Sequence, residues 1–150
     1  MLVKTVNELV DCITLWLGSG VWSGVTGYPH ALPEPSSDRS ADRSPLFVVT
    51  ASSGTCGIGE SRATIVIGIQ VSSDAKDPLK NYAYACKWLR DKIDAFGLAV
   101  YDNPRIFGCM PAQSFTWSLP SAQPRPVWQA QITIEFTLPG ASRENQNFLI

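Results

Sequence analysis

VWQAQITIEFTL, residues 127–138, alternates apolar and polar side chains almost without a break. Trp128, Ala130, Ile132, Ile134, Phe136 and Leu138 fall on one side. Gln129, Gln131, Thr133, Glu135 and Thr137 fall on the other. Successive side chains of a strand leave opposite faces, so the pattern predicts a β-strand with one sealed face and one facing water or a partner. A strand of this kind needs a sheet around it and a layer to cover its apolar side.

Working outward, AQSFTWSLP (112–120) alternates again, with Phe115 and Trp117 two apart, and the Pro-rich SAQPRPV joins it to the first stretch as a hairpin. Earlier, LFVVTAS (46–52) reads as a short strand that is apolar on both sides and therefore internal. RATIVIGIQVS (62–72) places Ile65, Ile67, Ile69 and Val71 on one face, and the Gly-rich SGTCGIGES (53–61) between them predicts a flexible hairpin tip.

Two amphipathic helices supply the cover. Leu2, Val6, Leu9, Ile13 and Trp16 or Leu17 recur at helical spacing, with Gly18, Ser19 and Gly20 as the stop. The second helix starts at an Asp77 cap with Pro78 in first position. Its stripe is Leu79, Tyr82, Ala83, Cys86, Leu89, Ile93 and Phe96, and Gly97 reads as its end. Asp102-Asn103-Pro104 is a turn signal beyond it. The element order α-ββ-α-ββ predicts an α+β two-layer sandwich in a single domain over 1–150: an antiparallel sheet of about four strands with two helices on one face. The segment 21–45 is rich in Gly, Pro and Ser and reads as an irregular loop. Its SDRSADRS piece (37–44) suits a solvated loop or an arm that orders on a partner. In the final ASRENQNFLI, Phe148, Leu149 and Ile150 are suited to docking on the body or on a neighbour.

Composition narrows the classes. With 45% hydrophobic and 17% charged residues the chain is not a disordered tail, and a net charge of -1 sets up no global field toward nucleic acid or anionic lipid. Lys4, Asn7, Glu8 and Asp11 interrupt the apolar start, so it reads as a helix and not a membrane span or signal. Cys12, Cys56, Cys86 and Cys109 form no CxxC pair and lie far in sequence from the single His30, which argues against a metal site and for a reduced, cytosolic setting.

The search for chemistry finds no catalytic, cofactor-binding or metal-binding residue to commit to. GTCGIGESR lacks the Gly-Lys-Ser/Thr ending of a phosphate loop and leads into a strand instead of a helix. Cys56 with His30 is the one conceivable nucleophile and base, without an orienting third group. Glu34, Asp38, Asp42 and Glu60 sit in loop sequence, and Glu135 stands alone on its strand face. Trp117, Trp128 and Phe115 form a possible base-stacking platform, but Ser, Thr and Gln flank them where a nucleic-acid groove needs basic residues, so core packing is the simpler reading. Trp22 and Tyr28, in loop sequence, suit anchors at a protein interface.

Taken together, the first helix, the irregular segment with GYP (27–29), the hairpin LFVVTASSGTCGIGESRATIVIGIQVSS, the helix from Asp77 and the hairpin FTWSLPSAQPRPVWQAQITIEFTL resemble the tail terminators of tailed phages, also described as tail completion or minor tail proteins. The resemblance implies a structural virion protein of the head–tail junction, assembled in the host cytoplasm and not an enzyme. Such proteins form homohexameric rings that cap the tail tube, end its polymerisation and offer a surface to the head–tail connector. Expected partners are further copies of the chain, the tail tube protein and connector proteins. No membrane is expected, and no nucleic acid beyond a genome passing through the ring. Contacts are expected at Trp22, Tyr28, Arg39, Arg43, Gly57, Glu60, Arg62, Gln129, Gln131 and Glu135. The alternatives are another neck protein such as a head–tail stopper, and a small enzyme or ligand-binding domain built on Cys56.

Overall fold

The computed structural model describes residues 3–31, 45–72, 78–119 and 127–139. Asp77, Arg39, Arg43 and the segment from Gly140 to Ile150, on which several expectations rest, lie outside the described residues.

Helix α1 runs Val6–Trp16 and begins where Thr5 caps it: the Glu8 amide donates to Thr5 Oγ1 at 3.1 Å. The Thr5 hydroxyl in turn donates to the Glu8 carboxylate at 3.0 Å. This is the Thr-x-x-Glu spacing of a capping box, and it fixes the first turn. The helix does not stop at Gly18. Leu17–Val21 continues as a π-turn, closed by the Trp22 amide donating to the Leu17 carbonyl at 2.7 Å. A widened turn of this kind brings the next residue inward. Trp22 accordingly lies in the core, its ring 5.2 Å from Phe47 and 6.1 Å from Phe96, and its Nε1 donates to the Lys92 carbonyl at 2.9 Å.

The segment read as irregular then forms a strand, β1 (Thr26–Pro29), which pairs parallel with β2 (Leu46–Thr55). Gly27 is required here, because a Cβ at that position would overlap the Phe47 ring. β2 and β3 (Glu60–Ser72) are the antiparallel hairpin the sequence suggests, with a bulge between Ala51 and Ser53. Pairing persists to Thr55 opposite Arg62, so the turn is only residues 56–59.

Helix α2 spans Pro78–Asp102 and passes through Gly97, contrary to the expected stop. A Cβ at Gly97 would meet the Phe115 ring at 3.4 Å, an ordinary contact, and that ring sits edge-on to Phe96 at 5.2 Å. The helix ends at Asn103, whose side chain donates to the Ala99 carbonyl at 2.7 Å, and Pro104 cannot continue it. Phe107 and Gly108 follow with φ of 53° and 83°, closing a tight turn between Ile106 and Cys109. The chain ends its described course with β4 (Met110–Pro111), β5 (Thr116–Ser118) and β6 (Val127–Pro139).

The sheet order is β1-β2-β3-β6-β4, with β5 also on β6. The class is α+β, but among the described residues the sheet has six strands instead of about four, and one pair is parallel. It curls instead of lying flat: long antiparallel partners such as β3 and β6 twist about each other, and the bulge in β2 adds to that twist. The register sets Ile65, Ile67 and Ile69 beside Ile134, Ile132 and Ala130, all buried. Helix α1 packs on β1 and β2, and α2 on β3 and β6, so Leu9, Ile13, Leu89, Ile93 and Phe96 meet that same face. Each large aliphatic side chain buried this way contributes about 1.5–3 kcal/mol.

Candidate functional site

Strict alternation leaves the opposite face of the sheet without a covering element among the described residues. On β6 it carries Gln129, Gln131, Thr133, Glu135 and Thr137; on β3, Arg62, Thr64, Val66, Gly68 and Gln70. Leu46, Val48 and Thr50 of β2 continue it, and the pairing of Tyr28 with Val48 puts Tyr28 on it as well. The strand read as internal is therefore flanked by neighbours on both sides along Leu46–Val49, yet its Leu46 and Val48 side chains are only half-buried on this open face.

The face is uncharged apart from one end. There the Arg62 guanidinium lies 3.7 Å from Glu60 and 3.9 Å from Glu135, all three about half exposed. Pairs so well solvated contribute at most about 1 kcal/mol each, so they set local charge pattern more than stability. Toward the other end a depression of about 180 Å³ forms around Gly68, walled by Leu46 and Val48 on one side and by Gln70, Gln129 and Gln131 on the other. The missing side chain of Gly68 makes its floor.

Of the expected contact residues, the fold thus gathers Tyr28, Glu60, Arg62, Gln129, Gln131 and Glu135 on one face. Gly57 lies apart, in the turn of the β2–β3 hairpin. Trp22 does not belong to any surface; at 0% exposure it is a core residue, placed there by the π-turn. Sequence reasoning missed Leu46, Val48, Val66 and Gly68, because apolar residues in strands read as core until the register shows which face is covered.

The nucleophile reading finds no support in the geometry. Cys56 is exposed in the hairpin turn, whereas His30 follows β1 beside Val49 and donates from Nε2 to the Asp11 carboxylate of α1 at 3.0 Å. Six residues of strand lie between Val49 and Cys56, roughly 20 Å. The other three thiols are buried. Burial pushes the Cys109 thiol up to about 11, with Cys12 nearby adding to the effect. Burial, then the charges of Glu8 and Asp11, also raises Cys12. The aromatic platform separates too: Trp128 is buried, while Trp117 is 50% exposed at β5. A second concavity, of about 540 Å³, lies between Val100, Tyr101 and Pro104 at the end of α2 and Pro111, Ala112 and Phe115; among the described residues no carboxylate, amine, imidazole or thiol lines it. Among the described residues no group of three or more His, Cys, Asp or Glu side chains is placed to hold a metal ion, and no helix is long and apolar enough to cross a membrane. No protein-family model matches the chain, and no curated protein matches it by sequence.

Proposed function

We propose that this chain is a structural ring subunit of a phage virion, a tail terminator that caps the tail tube and joins it to the head connector. One observation carries the reading: the sheet, six-stranded over the described residues and sealed by helices on one side, carries on the other a broad run of Thr, Gln and aliphatic side chains with no covering element among the described residues. Such a face suits extended contact with other protein subunits, where hydrogen-bonding amides and hydroxyls meet small apolar patches without the cost of burying unpaired charge. The ring is a homohexamer, its contacts heterologous, each subunit meeting a different patch on the next. The tube protein and the connector are its further partners, at the head–tail junction.

Native mass spectrometry of the purified chain, with negative-stain microscopy in the presence of tail-tube protein, tests this. Six-membered rings seated on tube ends are expected. A chain that stays monomeric and ignores tube ends ends the reading.

A further inference from the structure

We infer that copies of this chain join edge to edge, the outer edge of β2 in one copy accepting β5 of the next as an added strand. β1 lines β2 only along Leu46–Val49. There the His30 amide donates to the Val49 carbonyl at 2.8 Å, and β1 ends at Pro29, with His30 at φ 73°. From Thr50 to Thr55 β2 has β3 as its sole strand neighbour among the described residues. Backbone direction alternates along a strand, so with the Val49 carbonyl aimed outward, the N–H and C=O of Ala51 are aimed outward too. Neither has a backbone partner among the described residues.

Free edges are normally blunted by charge or proline. Here the chain is 17% charged, yet TASSGTCGIG, residues 50–59, contains no charged residue and no proline. The other edge of the same sheet is uncharged too. AQSFTWSL, residues 112–119, carries no charge and no proline, and Thr116, Trp117 and Ser118 are all exposed. The two neutral edges therefore meet without opposing charge.

Their side chains also fit. Pairing of Ala51 with Ile65 and of Gly54 with Ala63 puts Ala51 and Gly54 on the helix-covered side of the sheet. Pairing of Trp117 with Ile132 puts Trp117 on that same side. In a continued sheet the half-exposed indole of one copy lies over the small Ala51 and Gly54 of the next, an aromatic across a strand glycine. Gly54 has no room for a larger residue, since a Cβ would overlap the Arg62 carbonyl. Direction agrees as well: β2 runs parallel to β6 and β5 antiparallel to it, so head-to-tail addition sets β5 antiparallel to β2. Because the two edges differ, the contact is heterologous and repeats from copy to copy. It deepens the ring reading and rests on it only for closure; the pairing itself needs just a second copy.

The test uses one variant per edge. Ala51→Pro removes the outward N–H, and Trp117→Lys removes the indole and adds a charge. Sedimentation velocity and native mass spectrometry follow assembly, with circular dichroism melts to verify folding; Ser53→Lys replaces Ala51→Pro should the proline variant fail to fold. Wild type should form higher oligomers, each variant alone should associate about tenfold more weakly or less, and an equimolar mixture of the two should form dimers, because each then supplies one intact edge. Oligomers unchanged in both variants, or a Trp117→Lys chain that dimerises alone, overturn the contact. Rings that persist in the variants remove the edge contact but leave the ring reading. Edge-dependent oligomers that never bind tube ends do the reverse.

Discussion

At Cys109 the fold holds a thiol at 0% exposure, beside the end of the tight turn at Phe107-Gly108. Its folded pKa of about 11 lies above the reference of 9.0, so the folded state prefers the proton more than the unfolded chain does. Below the reference value both states are protonated and the contribution to stability is complete. Between 9.0 and about 11 the unfolded thiol ionises first, the unfolded state binds fewer protons, and stability falls as pH rises. One group gives a slope no steeper than about 1.4 kcal/mol per pH unit. Melting temperatures measured across this alkaline window should fall faster for wild type than for Cys109→Ala; parallel profiles would show that the thiol is not linked to folding. That Cys109 is buried was not legible beforehand, since GCMP has no periodicity to place it. The burial of Cys86 was legible, because it sits on the apolar stripe of the second helix.

At the scale of elements, the strands with strong alternation were plain in the residues. β3 and β6 owe their form to apolar side chains at every second position, a local property. β1 was hidden: TGYP is too short to alternate and contains both Gly and Pro. It exists because β2 offers it a parallel edge and because Gly27 lets the Phe47 ring lie against its backbone. Gly27→Ala should therefore destabilise the protein by about 1–3 kcal/mol, the usual cost of overpacking a filled site. Urea titration measures it; an unchanged midpoint would mean that β1 is dispensable to the core. The length of α2 was misjudged for a related reason. Gly97 has the look of a helix stop, yet the helix runs past it to Asp102, beside Phe115, a residue 18 positions further along the chain.

At the scale of the molecule, the sheet face that has no covering element among the described residues is the one on which the proposed assembly is tested. Glu135→Lys, which reverses one charge there and sets a lysine near Arg62, should leave the melting temperature nearly unchanged, since exposed pairs contribute at most about 1 kcal/mol. On the ring reading it should disrupt assembly, seen as loss of the oligomer in native mass spectrometry. Intact rings from this variant would return Glu135 to plain solvent. What the sequence determined by itself was local: two amphipathic helices, the long strands, and an apolar and a polar side on β6, all set by side-chain period. Only the tertiary structure decided that Trp22 is core, that Leu46 and Val48 face outward, and that Tyr28, Arg62 and the glutamines share one surface. Each of these depends on register and on which face the helices cover. Those are fixed by contacts between residues distant in the chain, which no local pattern records.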